Sequence, residues 1–302
     1  MHRNLNGRTF VKLLVKFNLI FVLVFGAGLG LAGYLSWRYL QQDARSQVMQ
    51  QARLMMAAAY SARDYTTKQI KPLLLDNEMH RTTFLPQTVP AYAATESFGY
   101  LRGRYPDYTY KEATLNPTNP RDRATDWEAD VVNDFRNHPG NKEVIGERET
   151  PTGTALFLAH PISVDPPCLS CHDTAEGAPT AMIRRYGAAN GFGWHAGDIV
   201  GAQIVSVPMT LPVALAGRAF RGMLLYLAAI FLITLLLLNL LLMLTIIQPV
   251  AQLSAMADQI STGNMDVPEL PVHGQDEINV LAGSFNRMRR SLEQAFRMLG
   301  EQ

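Results

Sequence analysis

Two long apolar runs divide this chain of 302 residues into segments. Residues 17–37 form an uncharged run between Lys16 and Arg38, and residues 223–247 form a second run that is richer in leucine. Each run exceeds the ~20 apolar residues that a helix needs to cross the core of a bilayer. The pattern therefore predicts two transmembrane helices that enclose a body of residues 38–221.

Basic residues near the N-terminus predict how these two helices are oriented. The tail of residues 1–16 carries Arg8, Lys12 and Lys16, whereas the first acidic residue of the chain is Asp43. Because basic flanks stay in the cytoplasm, we expect a two-pass protein of the bacterial inner membrane, with both termini cytoplasmic and the body periplasmic. Alternatively, the first run is a cleaved signal peptide, although it is long for one and its only small-residue cleavage site, GLGLAG, is weak.

The body contains both helical and strand patterns. Apolar residues recur every three or four positions from Gln41 to about Leu75, which predicts a helix that continues the first apolar run and is closed by Pro72. The elements expected after it are a helix over 92–105, a strand over 108–115, a helix within 125–140, a two-strand hairpin within 143–164 and a strand over 199–209. Their order predicts an α+β body with the fold of a PAS-like sensor domain.

The only two cysteines of the chain lie three positions apart in the segment CLSCH. Cys168 and Cys171 are followed directly by His172, and Cys-x-x-Cys-His is the attachment motif of a c-type haem. Two thiols at this spacing can reach the two vinyl groups on one edge of a porphyrin, and the adjoining imidazole can bind the iron. We therefore expect one covalent haem c, with His172 as its proximal axial ligand.

Three other interpretations of CLSCH remain open. A redox-active dithiol also uses Cys-x-x-Cys, but it normally opens a helix in a βαβ unit, and it would leave His172 unexplained. A structural zinc site would require four ligands, and the chain has no second pair of cysteines. Chance placement is the remaining interpretation, and the chain's composition makes it improbable.

The second axial position of the iron has several candidate ligands. Met55, Met56 and His80 are our first candidates, although Met55 and Met56 are on the long helix, where core packing is the more common role of a methionine. The further candidates are Met182, His138, His160 and His195. A weakly filled position would favour binding of a gas, whereas a strong ligand would favour redox sensing.

The C-terminal segment 248–302 predicts two short coiled-coil helices joined by a connector. Apolar residues repeat at spacings of three and four in each helix. The segment resembles a HAMP linker, with Pro249 at the membrane exit, Gly263 opening the connector and Glu277 beginning the second helix. The resemblance implies a parallel four-helix homodimer that passes a helix movement to an output. An amphipathic helix pair lying on the membrane surface is the alternative.

The periplasmic body also resembles a known family. The matching motifs, between about Arg63 and Met209, are RDYTTKQIKPLL, FLPQTVPAYAATESF, YKEATLNPTNPRDRATDWEADVV, GERETPTG, CLSCH, YGAANGFGW and IVGAQIVSVPM. They are similar to a bacterial family of periplasmic c-type haem domains with a PAS-like fold. The resemblance implies that Cys168 and Cys171 hold the haem and that His172 is its axial ligand.

These features together predict a sensor without enzymatic activity of its own. Relatives are often fused to kinases, cyclases or chemoreceptor signalling regions, whereas this chain ends at Gln302, so we expect a separate cytoplasmic output protein. The net charge of +1 gives no indication of nucleic-acid binding, and membrane lipid is an expected partner. A membrane-anchored electron-transfer cytochrome is the alternative function, and a receptor without haem is the third.

Overall fold

The computed structural model describes residues 6–75, 78–272 and 274–300, and its account of side chains leaves out residues 6–13, 80, 299 and 300. Residues 1–5 of the predicted basic tail therefore lie outside the described part. The chain divides into two compact units. One contains the residues up to Trp37 together with those from Phe220 onward, and the other contains Arg38–Ala219.

The helices of the described chain range from single turns to very long rods. In chain order they are α1 (Asn6–Tyr65), α2 (Lys71–Leu74), α3 (Glu78–Thr82), α4 (Pro90–Arg102), α5 (Asp126–Asn137), α6 (Leu169–His172), α7 (Thr180–Tyr186), α8 (Thr210–Leu242), α9 (Gln248–Ser261) and α10 (Glu277–Gly300). The stretches Leu14–Leu74 and Thr210–Ser261 are long and apolar enough to cross a membrane by length and composition.

A four-stranded antiparallel sheet forms the centre of the unit Arg38–Ala219. Its strands are β1 (Thr109–Thr114), β2 (Val144–Thr150), β3 (Gly153–Ser163) and β4 (Ile199–Pro208), in the order β1-β4-β3-β2. One face packs against α1 and α4 through Val48, Ala52, Phe98, Leu156 and Val205. The other face packs against α5 through Val132, Phe135, Ala202 and Ile204. The unit is therefore an α+β domain.

Most of the predicted elements of this unit are confirmed. Helix α4, strands β1 and β4 and the β2–β3 hairpin lie where the patterns place them. Helix α5 begins after Thr125, whose backbone N–H donates to the Glu128 carboxylate at 2.8 Å. This contact is half of a capping box, in which a side chain satisfies a backbone donor that the helix leaves free. Short-range patterns of this kind predict local structure well.

The predicted end of the first long helical stretch at about Leu75 is confirmed, because helical backbone ends at Leu74 with Pro72 in the last turn. A π-helical turn, Thr66–Ile70, follows α1, and helical backbone then continues through Pro72 to Leu74. A proline lacks a backbone N–H, and its ring clashes with the carbonyl four residues earlier in a regular helix. The wider π turn changes the hydrogen-bond register just before the ring. The same arrangement recurs at the other long helix, where the π turn Met243–Ile247 precedes Pro249.

Helices α9 and α10 and their connector form a small cluster in the C-terminal segment. Leu253, Leu270 and Ala282 are its buried apolar residues. Asn286 holds the connector because its side-chain amide donates to the Leu270 carbonyl at 2.9 Å and accepts from the Leu270 N–H at 3.0 Å. Gly263 ends α9 with φ of 91°, a conformation that favours glycine. Pro249 lies in the first turn of α9.

A largely buried ion pair joins α1 to β1 in the unit Arg38–Ala219. Arg63 of α1 contacts both carboxylate oxygens of Glu112 at 2.5 Å, and the Tyr110 hydroxyl donates to the same carboxylate at 2.7 Å. Glu112 is 5% exposed. Burial, and then the negative charge of Glu112, raise the pKa of Tyr110, so its hydroxyl remains a donor. The cluster therefore ties the long helix to the edge strand of the sheet.

We expect Arg63→Ala to lower the free energy of unfolding of the unit Arg38–Ala219 by about 3 kcal/mol, because it leaves the Glu112 carboxylate buried without its cation. Arg53→Ala is the matched control on the same helix. Arg53 pairs with Glu143 at 3.0 Å, but both side chains are largely solvated, so its loss is expected to cost less than about 1 kcal/mol. Denaturant unfolding of the full chain in detergent measures both values, and equal losses would contradict the prediction.

Candidate functional site

The CLSCH segment forms a compact turn directly after strand β3. A 3₁₀ turn, Pro166–Cys168, is followed by the single-turn helix α6, which ends at His172. The Cys168 N–H donates to the Asp165 carbonyl at 2.9 Å, which closes the start of the turn. Cys168 and Cys171 are both half-buried and carry free thiols. The turn thus presents two thiols and one imidazole from a very short length of chain.

A hydrogen bond to a backbone carbonyl sets the protonation of the His172 ring. Nδ1 of His172 lies 2.7 Å from the carbonyl oxygen of Gly191. Because a carbonyl can only accept, Nδ1 carries the proton and the neutral ring keeps a free lone pair on Nε2. Burial lowers the pKa of His172, and the bond to Gly191 opposes that shift. A neutral imidazole with a free Nε2 is the form that binds iron.

An aromatic ring fixes the orientation of the His172 imidazole. Trp194 stacks on it with ring centroids 4.0 Å apart and an angle of 13° between the ring planes. Two backbone bonds hold the tryptophan segment against the CLSCH turn: the Trp194 N–H donates to the His172 carbonyl at 3.2 Å, and the Gly193 N–H donates to the Asp173 carbonyl at 2.7 Å. Rotation of the imidazole would break both the stacking and the bond to Gly191.

Gly191 occupies a position where no other residue fits. Its φ is 86°, and a Cβ built there would lie 2.0 Å from Thr118 Oγ1 and 2.9 Å from the Thr118 backbone nitrogen. Thr118 belongs to the NPTNP turn that follows β1, and its hydroxyl is 3.4 Å from His172 Nδ1. The close approach of these two backbones is what brings the Gly191 carbonyl to the imidazole.

An apolar cluster lies beside Cys171. Phe84, Ala178, Ala181 and Met182 are its buried members, and Cys171, Val89, Ile183, Tyr186 and Phe192 pack against them. The rings of Phe84 and Tyr186 meet edge to face, with centroids 5.9 Å apart. The apolar residues, the two thiols and the imidazole are the residue types that surround and hold a haem, so the composition of the site fits that group.

Met55 and Met56, two of the first candidates for the second axial position, do not lie in this cluster. Met55 and Met56 are buried between α1, α4 and the sheet, among residues such as Val48 and Phe98. Packing accounts for both methionines there. His80 lies in α3, and its side chain falls outside the described part of the chain. Of the methionines that the sequence singles out, Met182 is the one that shares a cluster with Cys171.

The remaining histidine candidates all have polar contacts of their own. His138 caps the end of α5 and contacts the Asp134 carboxylate at 3.0 Å. Tyr60 lies 3.1 Å from Nδ1 of His160, and His195 contacts Asp198 at 3.3 Å. These contacts are typical of surface histidines, and none of them joins a described residue of the CLSCH turn.

Sequence reasoning did not single out Thr118, Gly191 or Trp194 as site residues. All three lie in motifs that carry the family resemblance, NPTNP and YGAANGFGW. The three glycines of YGAANGFGW could have indicated a backbone with positive φ and a close approach of another segment. Their pairing with His172 depends on tertiary contacts: Thr118 is 54 positions from His172 along the chain, and Gly191 is 19 positions from it.

Comparison with known proteins identifies two regions. Residues 41–208 match the family model Tll0287-like, and residues 241–294 match the model of the HAMP domain. No match was found among curated proteins. Among solved structures, the crystal structure of the cyanobacterial heme-protein Tll0287 aligns with 17% identity and a TM-score of 0.38, over 51% of this chain and 94% of that one.

We expect Gly191→Ala to destabilise the site by about 2 kcal/mol more than Gly193→Ala. Both glycines have positive φ, so both variants incur the backbone cost of an L-residue in that region. A Cβ at Gly193 meets nothing within 4 Å, whereas one at Gly191 collides with Thr118. Thermal unfolding of the two full-length variants in detergent provides the comparison. Equal stabilities would contradict the steric role given to Gly191.

Proposed function

Because this chain belongs to the Tll0287-like family and carries a HAMP domain, we propose that it is a membrane-bound haem sensor. It holds one covalent haem c in a periplasmic PAS-like domain and relays a change at the iron through HAMP to a separate cytoplasmic output protein. The protein has no enzymatic activity of its own in this proposal, and it works as a homodimer joined at HAMP.

The CLSCH turn is the observation that carries the haem proposal. Cys168, Cys171 and His172 lie within one short turn, beside an apolar cluster and with Nδ1 of the imidazole already bonded to Gly191. In the proposal the two thiols form thioethers with the porphyrin, and Nε2 of His172 binds the iron. Bound haem supplies an iron whose oxidation state and second axial ligand can change.

The chain provides a short route from His172 to the second apolar helix. The segment Gly191–Trp194, which holds the imidazole, leads into β4, and β4 leads directly into α8. The segment that precedes Cys168 is tied to the start of this route, because Val164 exchanges backbone bonds with Gly197 and Asp198 at 2.9 Å. A displacement of His172 would therefore be transmitted along β4 rather than absorbed in a free loop.

Three observations support the membrane arrangement. Two helices are long and apolar enough to span a bilayer, and basic residues precede the first. The HAMP match begins at residue 241, in the last part of the second apolar run. Basic flanks place the N-terminus in the cytoplasm. Two crossings then place the domain of residues 38–221 in the periplasm and HAMP in the cytoplasm, where an output protein can bind.

Haem attachment can be tested by a pyridine haemochrome spectrum of protein made with a cytochrome-maturation system. We expect the band of a haem with two thioethers in the native chain. Cys168→Ala and Cys171→Ala should each shift the band to longer wavelength, because one vinyl group remains conjugated with the ring. Intact mass spectrometry provides the second measurement, and a bare polypeptide in the native sample would refute the haem proposal.

Signal relay can be tested by fusing a reporter histidine-kinase domain after residue 300 and measuring autophosphorylation in membrane vesicles. We expect the rate to differ several-fold between oxidised and reduced samples, or on addition of nitric oxide or carbon monoxide. The matched control is the same fusion with Cys168→Ser and Cys171→Ser, which cannot attach haem and should not respond. A native fusion with normal haem but no response to any of these conditions would favour the electron-transfer alternative.

A further inference from the structure

Two asparagine side chains interrupt the apolar surfaces of the long helices and bind each other. Asn18 lies in the first apolar run and Asn239 in the second. The Asn18 amide donates to Asn239 Oδ1 at 2.7 Å, and the Asn239 amide donates to Asn18 Oδ1 at 2.7 Å. The contact is thus a reciprocal amide pair between residues 221 positions apart.

Both amide groups use their second N–H within their own helix. Asn18 donates to the Leu14 carbonyl at 3.0 Å, and Asn239 donates to the Leu235 carbonyl at 2.8 Å. Every side-chain N–H of the pair therefore has an acceptor. Asn18 is the second residue of the first apolar run, so the pair lies near the cytoplasmic boundary of the proposed spans. Where water is scarce, an unsatisfied polar group is costly, so loss of the partner is unfavourable for either side chain.

The pair is one of several side-chain contacts between α1 and α8, which run antiparallel. Phe25 meets Phe231 with ring centroids 6.0 Å apart, and Trp37 meets Phe220 at 5.1 Å. The interval along α1 from Asn18 to Trp37 equals the interval along α8 from Asn239 to Phe220. The Phe25–Phe231 contact departs from this match by one residue, being 7 positions from Asn18 and 8 from Asn239, so the contacts share one antiparallel register to within one residue.

We propose that the Asn18–Asn239 pair is a register latch that fixes the axial position of the second span against the first. This inference rests on the proposed two-pass arrangement. Apolar side chains in lipid have no strong preference for one axial offset, because a neighbouring apolar residue or a lipid tail offers a similar contact. Hydrogen bonds are lost within a shift of one residue, about 1.5 Å along the axis.

The position of the latch connects it to signal relay. Asn239 lies three residues before the end of α8, after which come the π turn Met243–Ile247 and helix α9. The axial position of this end of α8 sets the axial position at which the π turn and α9 begin. In a relay with two states, the intact pair stabilises one of them. A change in the domain of residues 38–221 must then break or shift the pair for the relay to reach the other state.

Cysteine crosslinking between the spans tests the latch in native membranes. Gly33→Cys is combined either with Leu224→Cys, which is in register, or with Ala228→Cys, which is displaced by one turn. A Cβ at Gly33 lies 3.6 Å from a Leu224 methyl group, so the first pair reports the native register. The measured quantity is the ratio of in-register to displaced adduct formed by a short bis-methanethiosulfonate.

We expect the in-register adduct to dominate in the native chain. Asn18→Leu and Asn239→Leu should each lower the ratio several-fold, and the double variant should match the single ones, since either change removes both bonds of the pair. Thr234→Val is the control, because it removes a hydroxyl from the same span and leaves the pair intact. It should keep the native ratio.

An unchanged ratio in the leucine variants would overturn the latch, and so would additive effects of the two changes. A dominant adduct between two chains, seen as a dimer band on a denaturing gel, would also overturn it, because the asparagines would then join different copies. Maleimide labelling of the denatured protein, run in parallel, shows whether Cys168 and Cys171 are blocked by haem. Failure of the latch and failure of the haem proposal therefore give separate readouts.

Discussion

The contact between the Gly191 carbonyl and the His172 imidazole is the constraint on which the site depends. It holds the proton on Nδ1 and frees Nε2, at a distance of 2.7 Å. It exists because Gly191 has no side chain where Thr118 approaches. Three segments that are far apart in the chain meet at this one carbonyl, so the ring is held by the fold and not by the CLSCH turn alone.

The sheet explains why these segments meet. Strands β1 and β3 both end at one end of the sheet, and β4 begins there, because β1 and β3 each pair antiparallel with β4. The connections at that end of the sheet contain the NPTNP turn, the CLSCH turn and the segment Gly191–Trp194. A rigid antiparallel scaffold with functional connections at one end is a common way to build a site. The Arg63–Glu112 ion pair extends the same scaffold to the long helix.

The two long helices share a structural pattern. Each contains a π turn followed two residues later by a proline, at Pro72 and at Pro249, and in both cases helical backbone continues past the ring. The apolar parts of the helices are joined by a small number of specific contacts, of which the Asn18–Asn239 pair is the most directional. A relay built in this way has stiff helices and discrete points where its state can change.

The sequence by itself determined the features that depend on neighbouring residues. The apolar runs, the helical and strand periodicities, the cap at Thr125 and the spacing of Cys168 and Cys171 all involve positions within a few residues of one another, so backbone geometry fixes their relation. Only the tertiary structure decided the Gly191–His172 bond, the position of Met55 and Met56 in the main core and the π turn before Pro72. These depend on contacts between distant segments, or on a local change of helical register, which no short-range pattern encodes.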